Sequence, residues 1–336
     1  IELCKWQKIV IEPVFEADFQ NCSYGFRPKR SAKQVMDKIF EVADAGNALW
    51  VIDADIKDYF GSINHEKLML LVEQRISDRK VLKLIREWLK AGIMQAGGYC
   101  ESTVGAPQGG VISPLLSNIY LNYFDIYWNH KFAHLGELVR YADDCIIVVK
   151  SSAAANRVMH SVTCWIERKL GLKVNAKKSK VTRPMRLKFL GFGFVKMNGK
   201  WEATAHRDSL SNFKRKLKAL TKRSWSISMD ERIMRLNWVI RGWISYFRMA
   251  KMKGHMEVID GRLRTRLRIV IWKQWKTGEK RYWGLRKLGA PEWMAKQSAG
   301  FGDHYQAVAK TTGLHKISKE ILARRGLVSC LDYYLA

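Results

Sequence analysis

The chain has 336 residues, of which 47% are hydrophobic and 27% charged, and its formal net charge at pH 7 is +28. The hydrophobic share excludes a disordered tail, and the lack of an 18-residue apolar run or a lipidation signal argues against a membrane protein. Repulsion among so many positive charges destabilises the folded state unless a polyanion neutralises them, so nucleic acid is the expected partner. No signal peptide is visible and the six cysteines have no metal-binding spacing, so a reducing cytosol is indicated.

The first part of the chain alternates between helical and strand patterns. Apolar residues at helical spacing over 31–45 predict an amphipathic helix, with Ser31 as N-cap and Gly46 just beyond its end. Further predicted elements are a buried strand over 49–56, helices near 65–75 and 79–91, a glycine-containing loop over 103–112, and a helix that begins at Ser113-Pro114.

Two β-rich runs, 138–141 and 145–149, meet at Ala142-Asp143-Asp144 and predict a hairpin with carboxylates at its tip. An Asp-Asp pair alone is good turn chemistry. Two acids between apolar strands nevertheless suggest a bound cation, and Asp55 ends the predicted 49–56 strand. If these strands are neighbours, three acids share one sheet edge, as nucleotidyl transfer with two metal ions requires.

The composition changes near residue 207. Before that point the patterns predict a helix over 153–169, strands near 172–175 and 187–196, and a hairpin turn at Asn198-Gly199. The segment 207–287 contains 23 Lys and Arg against 6 Asp and Glu, a net +17, and has helical periodicity. A basic helical domain is therefore predicted after a mixed domain.

Several sequence blocks resemble those of group II intron reverse transcriptases, and they occur in that family's order. They are Ser23–Ser31 (SYGFRPKRS), Asp53–His65 (DADIKDYFGSINH), Gly105–Leu121 (GAPQGGVISPLLSNIYL), Tyr141–Asp144 (YADD), Val174–Lys180 (VNAKKSK) and Phe189–Phe192 (FLGF). The segments 224–233 and 241–247 resemble the family's thumb, which is the maturase region that binds the parent intron RNA. The resemblance extends at least to residue 290.

The resemblance implies an α+β fold: a right-hand polymerase palm, an antiparallel sheet with helices, followed by an all-helical thumb. The expected domains are partial fingers over 1–48, the palm over 49–204, the thumb over 205–290, and a small C-terminal segment over 291–336 that could contact DNA. Because the family's earlier fingers blocks have no counterpart before Ile1, we expect an N-terminal portion to be missing. The lack of a cysteine-rich nuclease domain resembles the bacterial class C proteins.

The resemblance also implies roles for residues of the palm. Asp55, Asp143, Asp144 and the Ile56 carbonyl would hold two Mg²⁺ ions, with Mn²⁺ as the alternative, whereas Asp53 is not the matching ligand. Phe60 would exclude a 2′-hydroxyl, or else pack in the core, and Lys178 would protonate the departing pyrophosphate, or else be a solvated charge. The implied nucleotide-binding residues are Ile56, Lys57, Asp58, Tyr59, Phe60, Gln108 and Lys178.

Template and RNA contacts are implied for glycines and arginines. Gly109 and Gly110 would let backbone approach the template. Arg27 and Arg30 would contact template phosphates or brace the fingers. Arg262, Arg264, Arg266 and Arg268 would bind RNA, although they spread around a helix rather than along one stripe. Trp272 and Trp275 would stack on bases or, as the interpretation we favour, lie in the core.

The function implied by the resemblance is RNA-directed DNA polymerase and maturase of a group II intron. Its expected partners are an RNA template, a DNA primer or target, dNTPs and the intron RNA, in a bacterial cytoplasm. The sequence indicates no oligomeric state. Two alternatives stay open: an RNA-binding splicing factor with an idle polymerase, and a domesticated reverse transcriptase in DNA repair or phage defence.

Overall fold

The computed structural model describes residues 2–46, 50–90, 93–95, 98–100, 104–106 and 110–336. The chain divides into two compact units, which are Ile1–Leu190 with Phe194–Glu202, and Gly191–Gly193 with Ala203–Ala336. None of the helices within those described ranges combines the length and the apolar character needed to cross a membrane.

The first unit mixes helices with antiparallel strands. Its elements in chain order are α1 (Glu2–Glu16), α2 (Ala32–Ala45), β1 (Trp50–Ala54), α3 (Tyr59–Ser62), α4 (His65–Glu73), α5 (Arg79–Lys90), β2 (Ile93–Gln95), β3 (Gly98–Cys100), α6 (Ser113–Lys131), β4 (Gly136–Tyr141), β5 (Asp144–Val149), α7 (Ser152–Trp165), β6 (Lys180–Thr182), β7 (Phe192–Met197) and β8 (Lys200–Ala205), of which the start of β7 and the end of β8 belong to the second unit.

A four-stranded antiparallel sheet in the order β4-β5-β1-β6 forms the centre of this unit. After its first residue, every residue of β5 is buried, because helices cover the sheet and β1 and β4 flank the strand. The core includes Ile52 of β1 and Ile147 of β5, both fully buried. This packing fixes the register of β1 against β5, which pairs Ala54 with Cys145. The end of β1 therefore lies beside the start of β5.

Local sequence signals explain several element boundaries. The Ser31 hydroxyl accepts a hydrogen bond from the Gln34 amide, and the Gln34 side chain accepts one from the Ser31 amide, which forms a capping box. The helix predicted over 31–45 is therefore confirmed, and so is the helix at Ser113-Pro114, with proline in its first turn.

Two strand predictions differ from the structure, and one strand was not predicted. The predicted strand over 172–175 is reduced to a single bridge between Val174 and Ile56, and the strand predicted over 187–196 begins only at Phe192. The short strand β6 was not predicted, because its pairing with β1 is long-range and its own sequence is polar. The helix predicted over 153–169 is correct, although its last turn, Ile166–Leu170, is a π-helix.

The turn signal Asn198-Gly199 is confirmed. Both residues have positive φ, 49° and 82°, as a two-residue turn between twisted strands requires. They join β7 to β8 in a separate two-stranded sheet.

The second unit is helical apart from its strand ends, as the periodicity predicted. Within the described chain, its helices are α8 (Arg207–Leu220), α9 (Met229–Phe247), α10 (Lys253–Gln274), α11 (Gly278–Lys287), α12 (Glu292–Ala299), α13 (Tyr305–Val308), α14 (Thr312–His315), α15 (Lys319–Arg324) and α16 (Cys330–Leu335).

The long helix α10 is the central element of the second unit. Trp272 on this helix is fully buried, and its indole nitrogen donates to the Gly302 carbonyl at 2.8 Å. Asp260 on the same helix caps the last helix, because its carboxylate accepts hydrogen bonds from the Ser329 hydroxyl at 2.7 Å and from the amides of Cys330 and Leu331 at 2.8 and 3.0 Å. The segment after residue 291 therefore packs on the same helical unit.

Candidate active site

The predicted acidic hairpin is present, and its turn is tight. Tyr141 pairs with Asp144, so β4 and β5 are joined by the two residues Ala142 and Asp143. Ala142 has φ 59°, a left-handed conformation that is uncommon for a residue with a side chain. Asp143 therefore lies in the turn itself, and Asp144 is the first, exposed residue of β5.

Asp55 lies beside this hairpin, because it follows directly after the pair formed by Ala54 and Cys145. Polar contacts from two residues hold its backbone: the Ser179 hydroxyl accepts from the Asp55 amide at 3.0 Å, and the Asn175 amide donates to the Asp55 carbonyl at 2.8 Å. The predicted convergence of the two strands at one sheet edge is thus observed. Asn175 and Ser179 fall within the VNAKKSK block, but their contacts with Asp55 were not predicted.

The acids are close enough to affect one another. Partial desolvation, together with the charges of Asp143, Asp53 and Asp55, raises the pKa of Asp144 to about 6. Lys178 opposes this shift, and its ammonium lies 3.5 Å from an Asp55 carboxylate oxygen. The raised pKa of Asp144 thus reflects desolvation first and the neighbouring carboxylates second.

This donor set suits a hard divalent cation in its chemistry, because carboxylate and carbonyl oxygens are the ligands such ions prefer. As the side chains stand, no group of three or more acidic, histidine or cysteine residues in the described ranges is gathered into a ready metal site. The ion pair between Lys178 and Asp55 is consistent with that arrangement, since it engages one of the carboxylates.

A buried polar cluster lies beneath the turn, and the sequence interpretation missed it. We call the residues Ser23, Asn118, Asp125 and Arg140 the Arg140 cluster. Arg140 on β4 and Asp125 on α6 form an ion pair in which both side chains are fully buried. Burial lowers the pKa of Arg140, but the charge and hydrogen bonds of Asp125 more than offset this and raise it above its ordinary value. A signal existed in the sequence: Arg140 interrupts the apolar run of its strand, and Asp125 is the one acidic residue of the α6 segment.

Five of the predicted nucleotide-binding residues, Ile56 to Phe60, lie between β1 and α4. Ile56 is buried and bridges to Val174, and the exposed Lys57 donates its amide to the Lys173 carbonyl at 2.8 Å. Tyr59 is buried, and its hydroxyl donates to the Ser117 carbonyl at 2.8 Å, so its side chain is part of the core.

Phe60 is half-buried, with its ring edge-on to that of Tyr59 at a centroid distance of 5.3 Å. Asp58 precedes α3 in a left-handed conformation, and its carboxylate occupies the space where Gly61 would carry a Cβ atom. Because Phe60 is only half-buried, part of its ring is available to a ligand, whereas the buried ring of Tyr59 is not.

The first end of the glycine-containing loop is anchored near Phe60. The Ala106 amide donates to the Phe60 carbonyl at 2.7 Å, and the Gly105 carbonyl lies 2.6 Å from Nε2 of His65. Gly110 is half-buried and its carbonyl accepts from the Ser113 amide. Two predicted site residues of this loop, Gln108 and Gly109, lie outside the described residues.

Arg27 is only 8% exposed and makes internal contacts. Its guanidinium pairs with Glu16 at 2.7 Å and donates to the carbonyls of Gln20 and Ser23 at 2.6 and 2.9 Å. This geometry fits the bracing alternative. Arg30 is half-buried over the Tyr24 ring, at 5.2 Å from its centroid.

The four arginines of α10 have different surroundings. Arg268 is 9% exposed and donates to the Ile317 carbonyl, and Arg266 donates to the Thr221 hydroxyl at 2.6 Å. Arg262 is exposed and Arg264 half-buried, as expected for arginines that spread around a helix. The favoured interpretation placed both Trp272 and Trp275 in the core; Trp272 is fully buried, whereas Trp275 is half-buried. A cavity of about 300 Å³ has a basic and apolar lining, formed by Lys214, Leu217, Lys218, Ile259, Arg262, Leu263 and Arg266.

Comparison with known proteins identifies both parts of the chain. Residues 3–194 match the family model described as reverse transcriptase (RNA-dependent DNA polymerase), and residues 210–289 match the group II intron maturase-specific domain. Protein YkfC of Escherichia coli is 30% identical over 266 residues, which cover 67% of this chain and 69% of that protein. The group II intron-encoded protein LtrA of Lactococcus lactis is 40% identical over 118 residues, which cover 35% of this chain and 19% of LtrA. The chain therefore belongs to the reverse transcriptase (RNA-dependent DNA polymerase) family and carries the maturase-specific domain of group II intron proteins.

Proposed function

We propose that this chain copies RNA into DNA at the sheet edge formed by Asp55, Asp143 and Asp144. The observation that carries the proposal is the register of β1 against β5, which brings Asp55 beside the acidic turn. Divalent-metal dependence is general to the family, and Mg²⁺ is the ion we expect, with Mn²⁺ as a substitute. When bound, two such ions activate the primer 3′-hydroxyl and stabilise the leaving pyrophosphate.

The chain's own residues position the reactants. Asp55, Asp143, Asp144 and the Ile56 carbonyl hold the cations, while Lys57, Asp58, Tyr59 and Gln108 belong to the nucleotide site, with Tyr59 acting through its backbone because its side chain is buried. Lys178 is exposed and already lies 3.5 Å from Asp55, so it can move to a departing pyrophosphate and donate a proton. In this proposal Gly109, Gly110 and Arg30 contact the template.

The second unit supplies the maturase activity in this proposal. Its net charge of +17 over 207–287 matches an RNA phosphate backbone, and intron RNA is the partner we expect in addition to template, primer and dNTPs. The proposed domains are partial fingers over 1–48, palm over 49–204, thumb over 205–290 and a C-terminal segment over 291–336. The proposed location is the bacterial cytoplasm.

The decisive experiment is primer extension on an RNA template with a DNA primer, dNTPs and Mg²⁺. We expect incorporation that stops when the metal is chelated. If the chain binds intron RNA but incorporates no dNTP, the polymerase proposal is wrong, and the splicing factor with an idle polymerase is favoured.

Phe60→Ala is expected to increase ribonucleotide incorporation relative to dNTP by about tenfold or more, the discrimination that a steric contact of this size gives. The reason is that the ring, half-buried against Tyr59, would occupy the space a 2′-hydroxyl needs. The measurement is the ratio of kcat/KM for the two sugars, and Phe60→Tyr, which keeps the ring, is the control. An unchanged ratio with a lower Tm would assign Phe60 to core packing alone.

Binding of structured intron RNA is expected to weaken steeply with salt, because cations on the second unit release counterions from phosphates. Replacing both Lys214 and Arg262 by Gln should lower the slope of log K against log[salt] by about 0.7 to 0.9 for each phosphate that the variant no longer neutralises. Both residues line the basic cavity of about 300 Å³. Filter binding at several salt concentrations measures the slope. The control is Glu257→Gln on α10, the helix that also carries Arg262. Affinity independent of salt would contradict the electrostatic basis of the proposal.

A further inference from the structure

The guanidinium of Arg140 uses all five of its N–H groups inside the protein. Nε donates to one carboxylate oxygen of Asp125 at 2.9 Å, and the terminal nitrogen Nη2 donates to the other. The second terminal nitrogen, Nη1, donates to the Asn118 side-chain oxygen at 3.0 Å, and Nη2 also donates to the Ser23 hydroxyl at 2.8 Å. The guanidinium is fully buried and has no contact with solvent, so these hydrogen bonds within the protein fix its position.

The fifth hydrogen bond reaches the acidic turn. Nη1 of Arg140 donates to the carbonyl of Ala142 at 2.7 Å, which is the peptide group that connects Ala142 to Asp143. Ala142 has the left-handed φ of 59°, so this peptide plane is in an orientation the backbone alone disfavours. The orientation of that peptide plane determines the position of the Asp143 Cα atom, from which the side chain extends. Arg140 therefore stabilises the conformation that presents the acid.

The segment before α2 holds the same turn from another side. Gly25 lies so close that a Cβ atom at its position would be 2.2 Å from the Ala142 nitrogen. The Asn118 side chain donates to the Gly25 carbonyl at 2.8 Å while it accepts from Arg140. Backbone hydrogen bonds from Tyr24 to Arg140 and from Arg140 to Cys22 add this segment to the edge of β4. The turn thus lies against Gly25 and Arg140 at once.

Stability alone does not explain a charge at this position. Well-packed apolar residues of similar volume often replace a buried ion pair without loss of stability. An apolar pair cannot donate to the Ala142 carbonyl, and lysine cannot make the five fixed contacts of a guanidinium.

We infer that Arg140, oriented by Asp125, Asn118 and Ser23, is a positioning residue that holds the Ala142–Asp143 peptide and so aligns Asp143 and Asp144 for catalysis. Arg140 contacts both Ser23 and the Ala142 carbonyl, so it connects the segment Ser23–Gly25 to the catalytic turn. The inference rests on the proposed function of these acids.

The test compares Arg140→Lys and the double variant Arg140→Met/Asp125→Leu with the unchanged chain. We expect kcat for dNTP incorporation to fall by about 10- to 100-fold, the cost of misplacing a catalytic group by about an ångström. The KM for dNTP should stay unchanged, and the Mg²⁺ concentration for half-maximal rate should rise. Val158→Ala, buried in α7, is the matched control for reduced stability and should leave kcat and the Mg²⁺ dependence unchanged.

A second readout does not need activity. Hydrogen exchange of a peptide containing residues 142–144 should be faster in Arg140→Lys than in the unchanged chain, while exchange in the rest of β5 stays the same. Lower kcat with faster exchange in the turn supports the inference. Unchanged kcat and Mg²⁺ dependence in Arg140→Lys, with normal synthesis by the unchanged chain, would overturn it and leave the proposed function intact. If the unchanged chain makes no DNA, the proposed function fails, and unchanged exchange in the turn would overturn the inference as well.

Discussion

Asp143→Asn is expected to reduce RNA-templated DNA synthesis by about a thousandfold or more. A carboxylate that holds a catalytic cation contributes several kcal/mol to charge stabilisation in the transition state, and each 1.36 kcal/mol corresponds to about tenfold in rate. Asparagine keeps the size of the side chain and its place in the turn, so the change removes the charge with little effect on the fold. Single-turnover primer extension measures the loss.

The matched control for this variant is Asp37→Asn. Asp37 is exposed on α2, so its replacement changes the net charge equally without touching the acidic edge. RNA affinity of the second unit should be the same in both variants. Synthesis by Asp143→Asn within tenfold of the unchanged chain would show that this carboxylate does not hold the catalytic cation.

Asp125→Ala is expected to lower the free energy of unfolding of the first unit by about 3–5 kcal/mol. The change leaves Arg140 buried without its counter-charge, which is more costly than the removal of an ordinary contact. Urea denaturation, followed by a probe in the first unit, measures the effect. The double variant Arg140→Met/Asp125→Leu should recover most of the stability, because it removes both charges and fills the space.

An exposed pair provides the comparison for this prediction. Asp18 and Arg75 lie 3.0 Å apart on the surface, and Asp18→Ala should cost no more than about 1 kcal/mol, as is usual for solvent-exposed ion pairs. Equal destabilisation by Asp18→Ala and Asp125→Ala would mean that burial does not decide the energetics of the Arg140 pair. A double variant less stable than Asp125→Ala would indicate that the cluster contributes through more than its charges.

Local chemistry predicted the parts of the fold that depend on neighbouring residues. The Ser31 cap, the proline of α6 and the Asn198-Gly199 turn each act within a few residues, so their sequence signals are sufficient. The acidic turn was predicted in the same way, because apolar strands flank it. The sequence alone did not decide whether Asp55 lies beside that turn. This depends on the pairing of β1 with β5, which are about ninety residues apart in the chain.

The missed features all depend on contacts between distant segments. The strand β6 is polar and forms only because β1 offers it an edge. Arg140 could be recognised as an unusual residue within an apolar strand, but its partners Ser23 and Asn118 come from other elements, at positions that only the packed structure defines. The resemblance likewise left Arg27 between the template and bracing, and its contacts with Glu16, Gln20 and Ser23, which favour bracing, come from the packed structure.

The carboxylate of Asp260 connects the longest helix of the second unit to the last residues of the chain. Asp260 is 6% exposed, and the residues from Ser329 to Leu331 provide three hydrogen bonds to it. A shortened chain that ends at Val328 would lack the whole of α16 and also leave a carboxyl group in the interior without those donors. C-terminal trimming, a routine step in preparing proteins for crystallisation, is therefore unfavourable here unless Asp260 is changed at the same time.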